Sequence, residues 1–125
     1  MAKILLIDDD ETIHLICRAY LAKAGHEVQA VFDGVEGLKA AEAFKPDLIL
    51  LDVNMPRLSG FDVAAKLKES PATKAIPVFM LTSLKQEANI ERGYGLGIED
   101  YITKPVNVAH LKLKIDKLLQ KLNKS

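Results

Sequence analysis

The chain has 125 residues, 49% of them hydrophobic and 27% charged, with 17 Lys and Arg against 17 Asp and Glu. That is one domain's worth of globular chain, too short for a two-domain enzyme. A formal net charge of zero argues against nucleic-acid binding by bulk charge, and a single cysteine, Cys17, excludes an intrachain disulfide.

Residues 4–7 (Ile-Leu-Leu-Ile) open the chain as a short apolar run with no alternation, which predicts a strand buried on both faces of a parallel sheet. The run is too short for a signal peptide, and nothing approaches the roughly 18 apolar residues of a membrane span. With its lone cysteine, the chain fits a reducing, cytoplasmic setting. Three acids follow, Asp8, Asp9 and Asp10. Ile13, Ile16, Cys17, Tyr20, Leu21 and Ala24 then recur at helical steps, and Gly25 supplies the stop. His14 reads as an exposed helical histidine and Cys17 as a small core residue with an inert thiol. Residues 27–32 form a weaker strand. Val35, Leu38, Ala41 and Phe44 mark the inner face of a second helix, closed by Pro46.

Residues 48–51 repeat the first pattern and end in Asp52. Phe61, Ala64, Ala65 and Leu67 or Lys68 mark a third helix that stops near Ser70-Pro71. Residues 78–81 form the third strong strand and end in Thr82-Ser83. A fourth helix is predicted around residues 86–94, then a weak strand at 100–103. The last helix, from about 108 to 122, carries Leu111, Ile115, Leu118 and Leu122 on one stripe, with Asn107 as its N-cap. Strand and helix alternate five times, which predicts a doubly wound α/β domain with right-handed crossovers. Ligands in such sheets bind at the carboxyl ends of the strands.

The residues reaching that rim are Asp8, Asp9 and Asp10, then Asp52, Thr82 and Lys104. Taken singly, each has a plain structural role. Asp10 and Asp9 are helix caps, Asp52 a turn residue, Thr82 a cap and Lys104 a solvated lysine. Together they put complementary charge on one rim, as functional clefts do. Clustered carboxylates repel, and a divalent cation relieves that repulsion. Oxygen ligands without a Cys/His cluster suit Mg²⁺, with Mn²⁺ also fitting, rather than zinc. A lysine and a hydroxyl beside such a cation suit in-line phosphoryl transfer onto a carboxylate.

Residues 4–10 (ILLIDDD), 48–60 (LILLDVNMPRLSG), 77–83 (PVFMLTS) and 100–105 (DYITKP) resemble the receiver domain of two-component response regulators, in order and over essentially the whole chain, 1–125. The resemblance implies a five-stranded, flavodoxin-like (βα)5 sheet of order 2-1-3-4-5. It implies that Asp52 is the phosphoacceptor, taking a phosphoryl group from a phosphohistidine. Asp9 is then a direct Mg²⁺ ligand, Asp8 acts largely through metal-bound water, and Asn54 lends its backbone carbonyl. Thr82 and Lys104 contact the phosphoryl oxygens, Tyr101 is the rotameric switch that follows Thr82, and the Lys104–Pro105 bond is cis. Gly60 fits the turn before the third helix.

The implied partners are a sensor histidine kinase or histidine phosphotransfer protein, docking at the first helix, and a downstream protein. That protein reads the surface formed by the fifth strand and the last two helices, where Tyr101, Val108 and Leu113 add apolar area. A phosphorylation-linked dimer is compatible; nucleic-acid or membrane binding by this domain alone is not expected. Two departures stand out. Gly93, Gly95 and Gly97 crowd the exit of the fourth helix and predict a short or mobile one. Leu84, apolar near the water route to the phosphoryl group, predicts slow autodephosphorylation. Two rivals stay open. Asp8-x-Asp10-x-Thr12 also reads as the motif of a haloacid-dehalogenase-type phosphatase with Asp8 as nucleophile, although a cap domain is lacking and Asp52 is left unexplained. The other is a phosphate-independent binding module.

Overall fold

A computed structural model describes residues 2–83 and 95–122. The predicted helix at 86–94 and Leu84 lie outside them. Five strands, β1 (Lys3–Ile7), β2 (Glu27–Val31), β3 (Leu48–Asp52), β4 (Val78–Thr82) and β5 (Asp100–Thr103), form one parallel sheet of order β2-β1-β3-β4-β5. The expected doubly wound, flavodoxin-like order is the observed one.

Residue parity along the strands splits the core into two layers. Leu5, Ile7, Ile49, Leu51, Val78 and Met80 face α2 (Gly34–Phe44) and α3 (Gly60–Glu69). Ile4, Leu6, Leu48, Leu50, Phe79 and Leu81 face α1 (Glu11–Lys23) and the C-terminal helix (Val108–Lys121). Strands covered on both sides need no polar face, hence their unbroken apolar runs.

The helix ends follow the residues that start and stop them. Asp10 caps α1 by accepting from the Thr12 amide at 2.8 Å. Gly25, at φ 93°, lets the chain turn out of that helix while the Gly25 and His26 amides return to the Ala22 and Leu21 carbonyls. Ser59 and Asp62 close a reciprocal capping box on α3, and Asn107 caps the C-terminal helix as expected. That helix buries Leu111, Ile115, Leu118 and Leu119, with Leu122 exposed beyond the last turn. Leu113 is exposed and Val108 half-buried.

Three expectations about helix faces are corrected. Ile16 and Ala24 on α1 are exposed, and the buried stripe there is Ile13, His14, Cys17 and Leu21. On α2, Val35 is 56% exposed and the buried stripe is Gly34, Gly37, Ala40 and Ala41. Side chains there are absent or a single methyl because the helix lies so close: a Cβ at Gly37 would sit 2.5 Å from Ile7 Cδ1. On α3, Val63 is fully buried while Ala65 is only half-buried.

Candidate functional site

Parallel register sets Ile7 beside Leu51, Asp52 beside Leu81 and Thr82 beside Thr103. The residues that end those strands therefore meet along one edge of the sheet. Asp8 follows β1 and is fully buried. Its amide donates to the Val31 carbonyl at 3.2 Å, and its Oδ1 accepts from the Asp10 amide at 2.9 Å. Its Oδ2 stands 3.1 Å from Lys104 Nζ. That last contact pairs charges without hydrogen-bond alignment, so Oδ2 is a buried side-chain oxygen left without a hydrogen bond.

Asp52, the last residue of β3, is 3% exposed. Its Oδ1 accepts from Lys104 Nζ at 3.1 Å and from the Asn54 amide at 3.3 Å. Gly60 makes the neighbouring loop possible. Its amide donates to the Val53 carbonyl at 2.8 Å, and a Cβ there would lie 2.2 Å from the Asp52 carbonyl oxygen. Sequence alone suggested a turn glycine; the stronger reason is this close backbone approach to Asp52.

Lys104 leaves β5 with its amide donating to the Thr82 carbonyl at 2.7 Å, and its bond to Pro105 is cis, as the resemblance implied. Thr82 is buried at the end of β4, its hydroxyl donating to the Ser83 carbonyl at 3.2 Å. Tyr101 pairs with Met80 in register and is buried in the same core layer. Asp9 is exposed, yet one oxygen each from Asp8, Asp9 and Asp52 lie within 4.8 Å of one another. Asp10 stands apart from that trio, engaged as the cap of α1.

Electrostatics follow from this crowding. Burial, and then the Asp8 charge, push the Asp52 carboxyl up to about 7 against the pull of Lys104. Burial would lower the Lys104 ammonium, but the Asp52 and Asp8 carboxylates hold it above the ordinary lysine range. Cys17 lies beneath the site; burial, with the Asp8 charge, raises its thiol to about 11, so it is unreactive. Three clustered carboxylates beside one lysine leave an excess of negative charge, and Asp8 Oδ2 makes no hydrogen bond of its own. The all-oxygen donor set fits a hard divalent cation, Mg²⁺ or Mn²⁺.

One expectation about the rim is overturned. His14 is not exposed: it is 4% accessible, its Nε2 lies 2.7 Å from the Asp8 backbone carbonyl, and its ring stacks on Phe32 at 4.0 Å and 9°. No spacing in the sequence links residues 14 and 32, which meet only because β2 lies beside β1.

The family model for the response regulator receiver domain matches residues 4–116. The chain is 39% identical over 119 residues to protein PilH of Pseudomonas aeruginosa, covering 95% of this chain and 98% of that one. It is 38% identical to the DNA-binding dual master transcriptional regulator RpaA of Synechocystis, over 99% of this chain but only 52% of that protein, so it spans about half of that relative's length. Among solved structures, the receiver domain of the sensor histidine kinase PA1611 from Pseudomonas aeruginosa superposes with a TM-score of 0.84 at 27% identity, covering 93% and 95% of the two chains. That structure has a magnesium ion coordinated in its active-site cleft.

Proposed function

The chain belongs to the response regulator receiver domain family of two-component signalling, and from that premise we propose that it is a working phosphoacceptor with Asp52 as the acceptor. The observation that carries this reading is the double contact of Lys104 Nζ, 3.1 Å from both Asp8 Oδ2 and Asp52 Oδ1. A fixed ammonium over two buried carboxylates is a phosphate-charge receptor that also keeps Asp52 aimed.

An Asp52 carboxylate oxygen attacks the phosphorus of a phosphohistidine. The new P–O bond makes an acyl phosphate, the P–N bond breaks, and the donor imidazole leaves, taking up a proton. Lys104 moves its contact from Asp52 to a phosphoryl oxygen, which carries the same sign of charge. Thr82, at the end of the neighbouring strand, turns its hydroxyl from the Ser83 carbonyl to another phosphoryl oxygen. Tyr101 shares the Thr82 face of the sheet, so it is the residue that reports this movement. Asp8, Asp9, Asp52 and the Asn54 carbonyl would hold Mg²⁺ or Mn²⁺, which supplies charge neutralisation between acceptor and phosphoryl group.

The donor is a sensor histidine kinase or a histidine phosphotransfer protein, and the output is a change of surface read by a downstream protein, with a phosphorylation-linked dimer as one form of that output. The setting is cytoplasmic, and nucleic acid is not bound by this domain itself. The dehalogenase-type phosphatase is disfavoured because the carboxylate of Asp10, its general acid, is tied to the Thr12 amide as the cap of α1.

Intact-mass measurement after incubation with acetyl phosphate and Mg²⁺ tests the assignment. One base-labile phosphoryl adduct is expected on the wild type and on neither the Asp52→Asn nor the magnesium-free sample. An adduct that survives Asp52→Asn and disappears in Asp8→Asn transfers the nucleophile to Asp8. No adduct on any sample leaves a slow acceptor or a phosphate-independent binding module, which a beryllofluoride titration separates: the acceptor binds it and the module does not.

A further inference from the structure

His14 has no part in the chemistry above, yet it is buried directly behind the acidic edge. Its Nε2 lies 2.7 Å from the Asp8 carbonyl oxygen. A carbonyl only accepts, so Nε2 carries the proton and donates. The stack on Phe32 fixes the plane of the ring, with centroids 4.0 Å apart and planes within 9°. Phe32 follows β2 directly and is otherwise an exposed aromatic. Residues from the ends of β2 and α1 thus close on one peptide group, the one joining Asp8 to Asp9.

That peptide sets both acids. The Asp8 amide is held by Val31, its Oδ1 by the Asp10 amide, and its Oδ2 by the charge of Lys104. Its carbonyl is held by His14. With both ends of the residue fixed, the direction in which the chain enters Asp9 is fixed as well. We propose that His14 is a positioning residue for the acidic pocket. By donating Nε2–H to the Asp8 carbonyl, it presets the Asp8–Asp9 backbone so that their carboxylates and that of Asp52 converge on one divalent cation. This rests on the cation-dependent receiver reading and extends it to a residue that touches neither cation nor phosphate. Groups that hold metal-binding residues in place govern affinity by about 10- to 100-fold when removed.

The test is divalent-cation affinity of the folded protein, measured calorimetrically with Mg²⁺ and Mn²⁺ alone. His14→Phe keeps an aromatic ring for the Phe32 stack and removes the donor. His14→Gln keeps an amide donor without the ring. Thr73→Val removes another buried side chain-to-carbonyl bond, from Thr73 Oγ1 to the Leu67 carbonyl at 2.7 Å, in the loop leading into β4. The expected result is about tenfold weaker binding in His14→Phe, substantial recovery in His14→Gln, and wild-type affinity in Thr73→Val at a comparable loss of thermal stability. Wild-type affinity in folded His14→Phe overturns the positioning role and leaves the receiver reading intact. Should His14→Phe not fold, His14→Gln decides alone: near-wild-type affinity supports the donor role, and affinity weakened about tenfold or more overturns it. Affinity that falls equally in Thr73→Val makes the effect one of general stability and overturns it too. A wild type that binds neither cation overturns both readings at once.

Discussion

Asp52 is the residue at which the fold and its chemistry pull in opposite directions. A carboxyl held at about 7 by burial and the Asp8 charge is protonated in the native state at pH values where the unfolded chain has already released that proton. The native state then binds more protons than the unfolded one between about pH 4 and pH 7, so stability falls as pH rises through that window. Asp52→Asn removes the titration. In a chelator its stability relative to wild type should grow between pH 4 and pH 8 by an amount on the order of 3 kcal/mol. Denaturant midpoints at the two pH values measure this directly, and Mg²⁺ should shrink the difference at pH 8 by stabilising the wild type more than the variant. Parallel pH profiles for the two proteins would mean that Lys104 neutralises Asp52 fully. The convergence of Asp8, Asp52, Thr82 and Lys104 was legible in the sequence, because polar residues ending parallel strands must share an edge. Which acid is buried was not: Asp8 and Asp9 are the same residue type side by side, and only the packed structure puts Asp8 inside and Asp9 in solvent.

Among the elements, α2 was the hardest to read and is the most instructive. Its inner face is made of Gly34, Gly37, Ala40 and Ala41, a stripe that carries little hydrophobic signal. Counting apolar residues therefore drew attention to Val35, which faces solvent. The strands were easy for the opposite reason, since covering both faces of a sheet demands apolar residues at every position. His14 hides its burial for a related reason: a polar type near a helix start suggests solvent, and its partners come from other elements. Close approach of α2 to β1 makes a specific prediction. Alanine at position 37 gains about 1 kcal/mol in helix propensity, but its Cβ would stand 2.5, 2.9 and 3.0 Å from three atoms of the fully buried Ile7. Rotating one terminal methyl relieves only the first contact. Overpacking of this kind costs about 1–3 kcal/mol, so Gly37→Ala should be destabilised in urea unfolding despite its better helix former. Equal or higher stability would show that α2 can lift away from the sheet at little cost.

Across the whole molecule, stability is graded from the centre of the sheet outward. β1, β3 and β4 have neighbours on both edges and helices on both faces, and apart from Lys3 every residue in them is buried. β2 is an edge strand without a fully buried residue, and β5, at the other edge, buries only Tyr101 and Ile102. Opening an edge strand exposes little apolar surface, whereas opening a central one dismantles both core layers together. Amide exchange in β1, β3 and β4 should therefore require global unfolding, and β2 amides should exchange at least about tenfold faster through local opening. The acidic edge ties the two regimes together. The Asp8 amide is bonded to Val31 at the end of β2, and His14 leans on Phe32 just beyond it. A divalent cation held as proposed by Asp8 and Asp9 would thereby steady the strand alongside them. Exchange in the last residues of β2 should slow when Mg²⁺ is added, while β3 and β4 amides change only by the global gain in stability. Uniform slowing over the whole sheet would place the cation's effect in global stability alone, with no separate link to β2.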